Sequence, residues 1–388
     1  MKKRLLIINH SDPFANGGGS FASHAYCKAF SDIASGNIDI CIFEDSIWPI
    51  DESIRVQTYY KVKQRSIIER SLSIFNGNIQ RYSGFAKKLL ANKASLYDFV
   101  VMNGSYEGGG LVDLFHRYGI KVITIHHNYD PEYAYDNMSI PVFRSLYKYY
   151  VFKLQKKAYL KSDLNLFLTN EDMQTCREKF GKTNAKASVV GVFDFKEPDI
   201  VQLSTQRREV LTFIITGSLC TVQGVDGIKY FFNVLYKHLP VNSKVIIAGR
   251  SPKDEVIKLC ARHPNVELIP NPHNMMEVIS TGDIYICPTR LGGGLKLRVM
   301  DGLKMGLPVI THFCSARGYD AFENSPFFKS FNTEDEFKCI LNAMVENCYN
   351  NNISKKDVYE CYIGAFSYKS GLERLKNILN EGSNSYCE

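Results

Sequence analysis

Short apolar runs recur along the chain with polar, helix-competent stretches between them. In the first half the runs are residues 4–9, 38–43, 99–102, 121–126 and 164–169, and residues 21–30 form an apolar-striped stretch of helical period. Runs of four to six nearly continuous apolar residues predict strands buried on both faces, and the stretches between them predict covering helices. A mostly parallel sheet with helices on each side follows. Residues 193–208 are polar and contain Pro198, which predicts a linker. The alternation then restarts with runs at 211–216, 244–248, 266–269, 284–287 and 308–311, although no sequence repeat joins the halves. Leu372, Leu375, Ile378 and Leu379 mark one side of a last helix over 369–379. The predicted fold class is α/β, with two Rossmann-like doubly wound domains facing across a cleft. They span 1–195 and 209–364, and a helix at 365–380 packs back on the first. Such sheets bind ligands beyond the carboxyl ends of their strands.

A chain of 388 residues exceeds what one core usually holds, and 45% hydrophobic residues with 12% aromatics can fill two. The net charge of +7 suits phosphates or an acidic membrane surface. Lysines and arginines alternate with acids over much of the chain, so the continuous basic stripe of a nucleic-acid binder is missing. No uninterrupted apolar stretch of about eighteen residues exists to cross a bilayer. The opening apolar run is cut by Asn9, His10 and Asp12, and reads as a first strand rather than a leader. The eleven cysteines are scattered without a C-x-x-C pair, as expected of small buried side chains in a reducing, cytoplasmic setting. No metal site is expected.

The densest candidate chemistry lies between Leu291 and Ile310. Gly292, Gly293 and Gly294 precede a helix with Leu295, Val299 and Leu303 on its buried side, and Gly306, Leu307 and Pro308 end it. Loop amides and a helix N-terminus there point at an anion. Asp301 lies nearly two turns beyond Gly294, on the same side, where a carboxylate can take two hydroxyls of a sugar or ribose. Lys296 and Arg298 add positive charge. The competing reading is an exposed turn with a solvated acid. Further glycine loops follow the first strand of each half, at Gly17, Gly18 and Gly19 and at Gly217 and Ser218. Neither has the dinucleotide pattern G-x-G-x-x-G, and no triphosphate-binding loop or Asp-x-Asp pair occurs. His126 and His127 close a strand, where they could meet a ligand hydroxyl or satisfy the core. Arg250 closes another, where its planar fork could grip phosphate or join a surface ion pair.

The segment from Gly292 to Ile310 resembles the carboxyl-domain motif of bacterial family 4 glycosyltransferases. The Gly17 to Gly19 loop, residues 124–128 and 168–172, Gly217 and the closing helix extend the resemblance over nearly the whole chain. It implies the GT-B fold and a retaining transfer of a hexose from a nucleotide-diphosphate sugar, a UDP- or GDP-sugar, without a further cofactor or metal. The acceptor implied is a cell-surface glycan or lipid-linked oligosaccharide. Asp301 occupies the place of the second acid of the family's Glu-x7-Glu motif, whereas Gly293 stands at the first. His127 matches the amino-domain histidine, expected near the donor sugar and departing phosphate. The usual basic pair after Gly217 is missing, with Gln223 in place of a lysine, so the phosphate role is assigned to Arg250 and Lys296. The implied donor site comprises Gly217, Ser218, Arg250, Thr289, Gly292, Gly293, Gly294, Leu295, Lys296 and Asp301. Gly17, Gly18, Gly19, Tyr106 and Glu107 would line the acceptor pocket. Lys148, Lys153, Lys156, Lys157 and Lys161, mixed with aromatics, would make either a peripheral contact with the inner membrane face or an ordinary solvated face. Two rival functions are a nucleotide-sugar binding protein with weakened catalysis and a nucleotide-sugar epimerase.

Overall fold

The computed structural model describes residues 4–15, 17–63, 66, 68–69, 82–137, 141–196 and 210–381. The chain divides into two compact units, Met1–Glu197 with Ser367–Glu388, and Pro198–Phe366. Most of the expected linker, 197–208, lies outside the described residues, as does Asn16.

In unit 1 the described strands are β1 Arg4–Asn9, β2 Ile38–Phe43, β3 Thr58–Val62, β4 Tyr97–Asn103, β5 Lys121–His126, β6 Leu164–Phe167 and β7 Lys186–Val189. They form one all-parallel sheet in the order β3-β2-β1-β4-β5-β6-β7. The helices between them are α1 Gly18–Ile33, α2 Ser83–Lys93, α3 Ser105–His116, α4 Asp130–Asn137, α5 Arg144–Lys161 and α6 Asn170–Phe180. All six residues of β2 are buried, as an interior parallel strand requires. Helix α1 buries an apolar stripe of Ala22, Ala25, Tyr26, Ala29 and Phe30, widened by the small side chains of Ser20, Ser23, Cys27 and Ser31. It begins at Gly18, so two of the three glycines expected in a loop open the helix instead.

Unit 2 repeats the architecture. Its strands are β8 Leu211–Ser218, β9 Ser243–Arg250, β10 Val266–Pro270, β11 Ile284–Cys287, β12 Val309–His312 and β13 Phe328–Phe331, in the order β10-β9-β8-β11-β12-β13. Its helices include α7 Val222–Tyr230, α8 Asp254–Ala261, α9 Met275–Ser280, α10 Leu297–Lys304, α11 Glu334–Tyr349 and α12 Lys355–Phe366. A cluster containing Phe213, Ile215, Phe231, Leu235, Val245, Ile247 and Leu341 fills its core. Each such side chain contributes about 1.5–3 kcal/mol by leaving water. Helix α11 starts on a capping box in which Thr333 and Glu336 satisfy each other's backbone N–H groups.

The closing helix, α13 Tyr368–Glu381, belongs to unit 1. Gly371 sits so close to Phe193 that an added Cβ would lie 2.0 Å from the ring. Arg374 Nε donates to the Val190 carbonyl at 2.9 Å, and the Tyr368 hydroxyl donates to Asp32 at 2.5 Å.

In each sheet the winding reverses once, between β1 and β4 and between β8 and β11. In open α/β sheets the ligand crevice lies beyond the carboxyl ends of the strands at such a reversal.

Candidate functional site

At the reversal of unit 2, β8 delivers Gly217 and Ser218, and β11 delivers Thr289 and the glycine loop. Thr289 is buried, with its carbonyl accepting from Ser315 Oγ at 2.6 Å. Arg298 reaches back from the first turn of α10 and donates from Nη1 to Thr289 Oγ1 at 3.1 Å. A Cβ added to Gly217 would lie 2.5 Å from that same Nη1. The guanidinium therefore bridges the ends of the two strands that flank the reversal.

Lys296 is buried and turns back on its own loop, donating from Nζ to the carbonyls of Gly292 and Gly293 at 3.1 and 2.8 Å. Peptide planarity then directs the N–H groups of Gly293 and Gly294 away from the ammonium. Lys296 thus shapes the loop, and it does not converge with those amides on one point. Gly292 and Gly294 hold φ at 84° and 70°, the left-handed region that a side chain would strain. Gln223 packs against Gly292, where an added Cβ would meet its Nε2 at 2.2 Å.

The helix opens with an inserted hydroxyl. Tyr319, fully buried, donates to the Lys296 carbonyl at 2.8 Å and accepts from Met300 N at 3.0 Å. Regular helical residues begin at Leu297, so Leu295 lies in the loop, half-buried, rather than on the helix's buried side. Asp301 is half-buried one turn beyond Arg298, and its charge bears on the buried hydroxyls of Tyr319 and Tyr285.

Burial, Arg298 and Arg317 together hold the Lys296 ammonium down to about 8 from the usual 10.5. The folded state binds this proton more weakly than the unfolded chain, so the charged lysine costs stability at neutral pH. That cost fades as pH rises through about 8 toward 10.5. Unfolding midpoints measured from pH 7 to 10 are expected to rise for the wild type relative to Lys296→Gln, since the buried thiols that lose stability in the same range act on both proteins alike. Parallel curves would reject the assignment.

Arg250 ends β9, one strand out from the reversal, with an exposed side chain. The cations gathered beside the glycine loop are Lys296, Arg298 and Arg317. Arg290 is held at the rim by a bidentate pair with Asp226, at 2.9 and 3.0 Å, and lies over the Tyr230 ring. Sequence reading noted Arg298 only as nearby charge. Its position in the first turn of the helix, four residues after Gly294, is the available signal.

Unit 1 has a second polar cluster at its own reversal. His126 is buried core, with Nε2 bonded to Asn165 at 2.9 Å, Nδ1 facing Gln155 and its ring stacked on Phe167. His127 is half-buried and bonded to Asn103. Burial, with repulsion from His10 and His126, pushes its imidazole down to about 4. Glu107 is fully buried and pairs with His10 Nδ1 at 3.0 Å. The Tyr106 ring stands edge-on to His10, and its hydroxyl is hydrogen-bonded to Tyr147. Asp130, hydrogen-bonded to Ser105, is pushed up to about 7 by burial, with Asp172 and Glu107 adding to the rise. Gly17, Gly18 and Gly19 are exposed at the start of α1.

Among the described residues no group of three or more His, Cys, Asp or Glu could hold a metal ion, and no helix is long and apolar enough to cross a membrane. Residues 211–336 match the family model of glycosyl transferases group 1. No curated protein matches the sequence. Among solved structures, HepE of Anabaena in complex with UDP is 11% identical, with a TM-score of 0.70 over 97% of this chain and 100% of its own. Sucrose-phosphate synthase of Thermosynechococcus elongatus is 12% identical, with a TM-score of 0.71 over 98% and 99%. WaaG, a glycosyltransferase involved in lipopolysaccharide biosynthesis, is 12% identical, with a TM-score of 0.63 over 96% and 99%. The chain has the GT-B fold, and the stretch that matches the group 1 glycosyl transferase model lies within its second unit.

Proposed function

We propose that this protein is a retaining glycosyltransferase that moves a hexose from a nucleotide-diphosphate sugar to a hydroxyl of a glycan or lipid-linked acceptor. The observation that carries the reading is Arg298, seated between Gly217 and Thr289 within the matched domain. The fork suits two diphosphate oxygens, and the N-terminus of α10 adds its dipole. Asp301 takes ribose hydroxyls, and the N-terminal ends of α1 at 17–19 and α3 at 106–107 serve the acceptor. In the reaction the acceptor oxygen bonds to the anomeric carbon, the bond to the diphosphate breaks, and the acceptor proton passes to the departing phosphate oxygen. Arg298 and the helix amides stabilise the charge that develops there.

HepE has also been crystallised with UDP-glucose, which makes UDP-glucose the first donor to test. Thermal denaturation with UDP-, GDP-, ADP- and CMP-sugars is expected to single out one donor. At a hundredfold excess over Kd, one ligand adds about 2.7 kcal/mol, worth roughly 5–10 °C for a unit of this size. No shift with any of the four would reject the reading.

A peripheral membrane site for a lipid-linked acceptor is supported by α5, which carries six basic residues and no acid over its eighteen positions. Phe143, Leu146 and Tyr149 are exposed at its start. Lys157 and Lys161 are already paired with Asp113, leaving Lys148, Lys153 and Lys156 to meet anionic headgroups. Sedimentation with anionic vesicles, reversed by salt and absent with neutral vesicles, is the expected result.

A further inference from the structure

The orientation of His127 can be traced through hydrogen bonds back to an atom whose role is unambiguous. The carbonyl of Cys41, in the interior strand β2, can only accept. Asn9 donates to it from Nδ2 at 3.3 Å, which turns Asn9 Oδ1 to the opposite side. That oxygen accepts from Asn103 Nδ2 at 2.8 Å and from the Cys27 thiol at 3.5 Å. With its NH2 group committed, Asn103 presents Oδ1 to His127 Nε2 at 2.7 Å. An oxygen acceptor there requires the proton on Nε2.

We propose that Asn103 and Asn9 are positioning residues: together they fix His127 as the Nε2–H tautomer and leave Nδ1 a bare acceptor for a ligand hydroxyl. Asn9, Asn103 and His126 end three neighbouring strands and are all fully buried. The relay therefore runs across the reversal of the unit 1 sheet, and both of its amides are shielded from competing water. A second ring proton is disfavoured by burial and by His10 and His126. Among the described residues nothing is hydrogen-bonded to His127 Nδ1. A lone pair there attracts a hydroxyl hydrogen and repels a phosphate oxygen, so the ring is matched to the polyol part of a ligand. The inference rests on reading His127 as ligand-facing.

The test is histidine-selective ¹⁵N labelling of the full chain, ligand-free, with two-bond ¹H–¹⁵N correlations at neutral pH. His127 is assigned among the nine histidines by the signal missing in His127→Gln. The expected wild-type pattern is a protonated Nε2 and an unprotonated Nδ1. Asn103→Leu is expected to give a mixture of tautomers. Asn103→Asp keeps an acceptor on Nε2–H, and is expected to retain the pattern while moving the His127 titration up by more than about one pH unit. Should Asn103→Leu fail to fold, Asn9→Ala frees Asn103 to flip, and a mixture is again expected. An Nδ1–H or mixed pattern in the wild type, or an unchanged pattern when the relay is cut, overturns the proposal. A correct pattern with His127→Gln transferring UDP-glucose at the wild-type rate would instead reject the reading of His127 as ligand-facing.

Discussion

Replacing Arg298 with alanine is expected to lower kcat/KM for sugar transfer by about 100- to 1,000-fold, the usual cost of removing one donor from a developing oxyanion. The side chain is half-exposed and, among the described residues, makes one neutral hydrogen bond, to Thr289, so the melting temperature is expected to move by no more than about 2 °C. A large kinetic loss with little loss of stability separates a ligand-binding role from a packing one. Arg298→Lys restores charge without the fork and is expected to recover only part of the rate. A second readout comes from Lys296, whose ammonium is held down to about 8 in part by Arg298. Removing that neighbour moves the Lys296 titration up, which lysine-methyl NMR can follow. Wild-type kinetics in Arg298→Ala would refute the donor site as drawn.

Gly224→Val is expected to destabilise unit 2 strongly. Helix α7 packs against the end of β8 so closely that a Cβ at Gly224 would lie 1.9 Å from the Ser218 carbonyl oxygen. That oxygen is backbone and cannot rotate aside, so α7 or the 217–221 turn must shift. A cost of about 3 kcal/mol, at the high end for overpacking, lowers the unit 2 transition by roughly 6–12 °C. Donor affinity falls with it, because the displaced turn carries Gly217. Gly227→Ala is the control on the same helix. There the nearest atoms, on Thr289, lie 3.3 to 3.5 Å from the added Cβ, and a shift within about 3 °C is expected by scanning calorimetry. Equal shifts in both variants would show that the close approach to Ser218 carries no special cost.

The sheet interiors were legible because a strand buried on both faces writes itself as a continuous apolar run. The runs at 4–9, 38–43, 121–126 and 284–287 coincide with β1, β2, β5 and β11. The outer strands β3, β7 and β13 were not legible. Their residues alternate or are half-buried throughout, as in Phe328-Lys-Ser-Phe331, and four or five such positions carry little period-2 signal. At the site, the glycine loop announced itself through composition. The placement of Arg298 did not, because whether a helix side chain lies over a glycine in a distant strand depends on packing that local sequence leaves open. The two adjacent histidines show the same limit. Residue type cannot say which one is sealed against Phe167 and which one reaches the surface.

Helix α13 has one further consequence. Its contacts with Val190, Phe193 and Asp32 complete a hydrophobic body whose other elements are synthesised before the whole of unit 2. During translation, therefore, the earlier body must wait, with the surface around Phe193 uncovered, while the later one emerges and can fold to completion. The order of birth and the order of maturation are reversed, and a stop codon shortly after Phe366 would leave the second unit intact but strand the first.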